Sequence, residues 1–215
     1  MDPSHARKYK NVEIEVIVFN ILSREYPQGI DIPIEIDRIV ERNEHVDDIV
    51  PVELLQEKFK VAAVLNYKPN GHFDILVDEG TFDYRRSRAS FSIAHELGHI
   101  VLHSEVCRNC RTIDDAINLM LRLKTVYRFI EKAANYFAGA ILMPSRTLVE
   151  DTAKIYEVLV KEYGYDTNLI PDKLCSTLAR RYEVYNPPMK IRLKELNLNR
   201  KITTALCSNS PYLDA

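Results

Sequence analysis

Three of the six histidines in this 215-residue chain fall within FSIAHELGHIVLH, residues 91–103. His95 and His99 are four apart, so on a helix they project from one face and one metal ion can take a nitrogen from each. Glu96 stands beside them, within reach of a water at that metal. This is the H-E-x-x-H spacing, in which the glutamate acts as general base of a metal-dependent hydrolysis. The same spacing also arises by chance among packed core histidines, so its weight depends on a third ligand.

His103 is a poor choice for that ligand. It lies eight residues beyond His95, or about 12 Å along a straight helix, whereas zinc–nitrogen bonds are about 2 Å long. Ile100, Val101 and Leu102 offer no glycine at which the chain could bend back, so His103 is expected to be packed or to sit behind the ligands. Glu131, in FIEKAANYFAGAILMP, is the better candidate. The segment around it is apolar nearly all round, as in a buried helix. A lone glutamate there is costly unless it is paired or bound to a cation. Ala134 and Ala138 continue its face and leave room for a second helix. Asn135, one turn on, is placed to hydrogen-bond a ligand histidine and orient it.

The elements that must position these residues follow from pattern. NVEIEVIVFNILSREY (11–26) reads as a helix, and IEIDRIVER and PVELLQEKF as two short helices, the second with Pro51 near its first turn. KVAAVLNY, KPNG and HFDILVD read as strand, turn and strand. In the second strand Phe73, Ile75 and Val77 share one face. Helix follows from TFDYRRS onward, with Thr81 or Asp83 as its cap. A second helical stretch runs from about Ile113 to Leu142. Pro144 and Ser145 start another, closed by Gly164. The tail PDKLCSTLARRYEVYNPPMKIRLKELNLNR reads as helix, turn at NPP, helix. The expected fold is helix-rich α+β with a small sheet of about three strands. Residues 1–165 are expected to form the site-bearing domain and 166–215 a helical extension packed on it.

Taken together, FSIAHELGHIVLH and EKAANYFAGAILMP resemble the ImmA/IrrE family of metallo-endopeptidases. The similarity extends over roughly residues 10–200, more weakly in the tail. It implies a zincin-like peptidase holding one zinc, with His95, His99 and Glu131 as ligands and Glu96 as general base. It also implies a cytoplasmic protein that cleaves a helix-turn-helix repressor and so relieves repression. Family members often carry a helix-turn-helix of their own ahead of the peptidase. The stretch ahead of it here is short for one, so the regulator is expected to be a separate protein.

Cys107 and Cys110, in CRNC, have C-x-x-C spacing and with His103 make three candidate ligands. A closed structural zinc site needs a fourth, so two reduced thiols or a redox pair are expected instead. No oxyanion-holding residue can be chosen from spacing.

Bulk properties exclude little else. The net charge of −2 gives no general reason to bind nucleic acid or membrane, and direct nucleic-acid binding is not expected. No run approaches the ~18 apolar residues of a membrane span, and no apolar signal segment follows the polar start. Charge is uneven, however. Residues 31–57 hold nine acids and two bases, and residues 172–201 hold eight bases and three acids. Two solvated faces would explain this, but an acidic face could also attract a basic, DNA-binding partner. The rival to a peptidase is a zinc-containing module that docks such a partner and cleaves nothing.

Overall fold

The computed structural model describes residues 6–125 and 128–213. Its elements, in chain order, are α1 (Asn11–Glu25), α2 (Ile36–Glu41), β1 (Val46–Val52), α3 (Leu55–Phe59), β2 (Ala63–Tyr67), β3 (Phe73–Asp78), α4 (Glu79–Tyr84) and α5 (Arg86–Cys107). There follow α6 (Ile113–Thr125), α7 (Arg128–Leu142), α8 (Ser145–Tyr163), α9 (Leu169–Arg181), α10 (Asn186–Glu195) and α11 (Leu198–Cys207). This is the helix-rich α+β fold with a three-stranded sheet that the pattern predicts. The expected helical stretch from Ile113 to Leu142 is helical on both sides of residues 126 and 127, which lie outside the described residues.

The sheet has the order β1-β3-β2. β3 is central, parallel to β1 and antiparallel to β2. Alternation decides its faces: Phe73, Ile75 and Val77 are buried against the main core, which also takes Ile93 and Leu97 of α5 and Ile14, Val18 and Leu22 of α1. On the opposite face Leu76 and Val64 meet Leu55 of α3 and Cys110, Ala116 and Met120 on and before α6. The sheet is therefore covered on both faces, and one of its edges is β2.

Several expectations on the elements need correction. VDDIVPV is strand β1, and Pro51 lies in it opposite Val77 rather than in a helix. β1 is the other edge of the sheet, where a proline nitrogen can face outward without costing a ladder bond. Helix α4 is capped by Asp78, whose carboxylate accepts from the Thr81 backbone at 2.9 Å and from the Gln56 backbone at 2.7 Å. The second bond ties α3 to the strand end ahead of the site. NPP does not form a turn: it opens α10, with proline in the first turn, where its missing N–H is not needed. The turn precedes it, and α11 is a further helix.

The C-terminal helices are not loosely attached. Leu174, Leu178, Met189, Leu193 and Ile202 belong to the same core as Ile93 and Leu97. Arg192 of α10 is fully buried; its Nε donates to the Met143 carbonyl at 3.1 Å and its Nη2 to Glu15 of α1 at 2.7 Å.

Candidate metal centre

Helices α5 and α7 approach each other closely at Gly98. A β-carbon there would lie 3.1 Å from the Phe137 ring and 3.2 Å from the Ala134 backbone, nearer than a side chain is normally tolerated. Glycine on one helix and alanine on the other thus allow near backbone contact. Glu131 lies one turn before Ala134, while His95 and His99 flank Gly98. The approach therefore sets the carboxylate against both imidazoles.

The resulting geometry is compact. The Nε2 atoms of His95 and His99 are 3.0 Å apart. One Glu131 oxygen is 3.6 Å from His95 Nε2 and the other 3.5 Å from His99 Nε2. The side chains of His95, His99 and Glu131 are 17%, 5% and 12% exposed, so the cluster is buried but open on one side. A tetrahedral ion with bonds of ~2.0–2.1 Å would separate its donors by about 3.3 Å, within the spread of these distances. Two imidazoles and one carboxylate, with a fourth position facing a cleft, therefore fit a catalytic-type metal site. Among the described residues no other group of three such side chains converges in this way, so the CRNC cysteines and His103 do not form a second one.

The electrostatics suit a cation. Burial pulls the His99 pKa down, but the hydrogen bond to Glu131 and the charges of Glu96 and Glu131 outweigh it, and the net shift is upward. Glu96 lines the same cleft as the three candidate ligands. The cleft has a volume of about 270 Å³ and is lined by residues 60–65 and by Leu119, Met120 and Leu123 of α6.

Two neighbours differ from expectation. Asn135 lines the cleft, but its amide donates to the Glu131 carbonyl at 2.8 Å, one turn back on its own helix, and not to a ligand histidine. His103 is wholly buried at a break in α5, where its own φ and ψ leave the helical region (−145°, 37°). Its Nε2–H donates to the Arg7 carbonyl at 2.9 Å, and its ring stands edge-on to Tyr9. It fastens the N-terminal segment to the helix carrying the site.

The sheet edge at the cleft is β2; the HFDILVD strand is paired on both sides as β3. In the antiparallel register Ala62 and Lys68 bond to β3, so the N–H and C=O groups of Ala63, Leu65 and Tyr67 point the other way. Tyr67 N–H reaches the Cys110 carbonyl at 2.5 Å, whereas the outward groups of Ala63 and Leu65 have no hydrogen-bond partner among the described residues. KVAAVLNY is the strand that its pattern predicts; that it forms an edge of the sheet was not legible from the pattern.

The family described as Peptidase M78, the IrrE N-terminal-like domain, matches residues 83–193. The matched segment is more than half of the chain and includes α5, α7 and every side chain of the cluster. No curated protein matches the chain.

Proposed function

The chain belongs to the Peptidase M78 family, and on that premise we propose that it is a zinc metallo-endopeptidase whose target is a helix-turn-helix repressor. The observation that carries the reading is the convergence of His95, His99 and Glu131 beside Glu96, on the floor of a cleft bounded by an unpaired strand edge. Zinc bound by those three ligands would supply Lewis acidity toward a carbonyl oxygen and lower the pKa of water at the site toward about 7. Glu96 accepts the proton of the attacking water and passes it to the departing amine. The outward N–H and C=O groups of Ala63 and Leu65 hold an extended substrate by strand addition. The buried setting excludes bulk water from the charges that develop.

Support for a basic partner comes from the acidic segment. Asp31, Glu35, Glu41, Asp48, Glu53 and Glu57 are exposed. They run from the segment before α2, through β1, to α3, which is followed by Lys60 at the cleft. Among the described residues, no helix is long and apolar enough to cross a membrane.

The test is bound metal and cleavage measured together. The protein should hold about one equivalent of zinc and cut a helix-turn-helix repressor encoded beside it, with activity lost to chelator and restored by zinc. His95→Ala should lose both metal and activity. Glu96→Gln should keep the metal and lose ~10²- to 10⁴-fold in rate. Full function from Glu96→Gln would replace the peptidase by a metal-containing docking module.

A further inference from the structure

The cleft beside the metal centre is not uniform along its length. Its lining combines the polar groups His95, Glu96 and Glu131 with Cys107 and Cys110, at the ends of the segment that joins α5 to α6, and with apolar residues of α6. That segment starts with Cys107 and Cys110, both only 2% exposed. Cys110 then meets the strand edge, its carbonyl taking the Tyr67 N–H. Helix α6 begins immediately afterwards with a reciprocal cap: Thr112 N–H donates to the Asp115 carboxylate and Asp115 N–H to the Thr112 hydroxyl, each at 3.1 Å. This fixes where the helix starts and so which of its residues overhang β2.

The overhanging face is apolar. Ala116 and Leu123 are buried, Leu119 and Met120 are half-buried, and all four line the cleft. Asp114 and Asp115 face solvent on the opposite side. An apolar wall above two unpaired backbone positions suits one kind of occupant, an extended peptide carrying an apolar side chain. Its backbone would satisfy Ala63 and Leu65, and its side chain would cover Leu119 and Met120. The run of free edge is short, because a strand extended past Leu65 meets Cys110 already in place. The enclosed volume of about 270 Å³ lies below the ~300 Å³ at which clefts for whole small molecules begin; it suits one or two side chains.

We propose that residues 107–123 form a closed, apolar end of the substrate cleft. There, Leu119, Met120 and Leu123 select an aliphatic or methionine side chain next to the scissile bond, and the Cys110 carbonyl limits strand pairing to the Ala63–Leu65 edge. This rests on the peptidase reading above and names the substrate feature that site accepts.

The test uses the zinc-loaded full chain and a mixture of short unstructured peptides of varied sequence, with cut positions read by mass spectrometry. Leu, Ile, Val or Met should be favoured at one fixed position relative to the cut by about 10- to 100-fold over Asp or Glu, the range that apolar pockets achieve. Met120→Lys should reverse that preference toward acidic residues at the same position. Met120→Ala, a milder change, should widen it to admit Phe and Tyr. A second measurement needs no turnover: zinc-loaded Glu96→Gln protein is titrated into fluorescent peptides differing only by Leu or Asp at that position. Cleavage with no preference, equal binding of the two peptides, or an unaltered preference in both Met120 variants overturns the assignment. Preferential binding of the Leu peptide by a protein that cuts nothing sustains the cleft and overturns the peptidase.

Discussion

Helix α7 faces a cluster of charged groups on each of two sides, and the two clusters differ in kind. Toward α5, Glu131 meets His95 and His99, three groups that are all metal-ligand types and that converge on one point. Toward α1 and α10, the Tyr136 hydroxyl donates to Glu15 at 2.7 Å, and Arg192, fully buried, donates to the same carboxylate and to the Met143 carbonyl. Glu195 adds a second acid 3.6 Å from the guanidinium. In the second cluster the chain supplies its own cation, and the arginine's planar fork bridges α1, the end of α7 and α10. In the first the donors surround a space of ionic size beside an open cleft. Buried charge answered by an internal arginine is architecture, whereas buried ligands ringing such a space are a candidate site.

Substitutions on the two sides of α7 should therefore fail differently. The largest effect is expected from Arg192→Met, which strips the Met143 carbonyl of its donor and leaves the half-buried Glu15 with the Tyr136 hydroxyl alone. Removing one partner of a fully buried pair costs ~3–5 kcal/mol, and less where the remaining acid is partly exposed, so thermal unfolding should shift down by several degrees, while the protein that remains folded still binds zinc. Glu131→Gln keeps shape at a position open to the cleft. It should keep the fold but lose zinc and activity, since a neutral amide is a poor zinc ligand. Calorimetry with and without zinc separates the two: only Glu131→Gln should abolish zinc-dependent stabilisation. Loss of the fold in Glu131→Gln, or a stable Arg192→Met, would break the distinction.

Gly98→Ala sharpens it further. The added methyl meets the Phe137 ring at 3.1 Å and the Ala134 backbone at 3.2 Å, so the two helices must give by a few tenths of an ångström. Overpacking of this kind costs ~1–3 kcal/mol. The displacement falls where Glu131 reaches the histidines, so zinc affinity should fall with it. A variant with reduced stability and unchanged zinc affinity would show that the close approach serves packing alone.

A smaller effect is expected at the acidic face. Reversing Glu41, Glu53 and Glu57 to lysine should slow association with a basic repressor more than it speeds dissociation, with the difference shrinking as salt rises. Unchanged association rates would remove the docking role and leave the cleft as it is. In the basic tail three of the eight cations are already engaged: Arg181 pairs with Asp151, Lys190 with Asp172, and Arg192 is buried against Glu15.

What was legible in the sequence had a periodic or compositional signature. His95 and His99 announce themselves by spacing, and Glu131 by being a lone acid in an apolar helix; the structure brings the three together. The core face of β3 follows from strict alternation. β1 was not legible because edge strands carry prolines and acids, which also mark loops: Pro51, Asp47 and Asp48 disguised it. Asn135 could not be assigned from spacing, since an amide one turn along a helix reaches its own backbone as easily as a neighbour's side chain. The wall made by α6 depends on pairing between Tyr67 and Cys110, more than forty residues apart, and no local pattern encodes that.

The smallest effect concerns His103, which links the N-terminal segment to the helix of the site. Burial is the main influence on it and lowers its pKa below the ordinary 6.5, while the bond to the Arg7 carbonyl opposes that shift. Between that lowered value and 6.5 the unfolded chain holds a proton that the folded chain lacks. Stability from this residue is therefore complete above about pH 6.5 and declines as the pH falls toward the folded value. His103→Gln removes the titration while leaving an amide that can donate to the same carbonyl. Melting temperatures measured across mildly acidic pH should fall less steeply in the variant, by a few degrees at most. Because His103 lies behind the metal centre and is not among the converging ligands, zinc content should be unchanged at neutral pH. If the variant instead lost its zinc, His103 would have to be counted with the site and not with the frame that carries it.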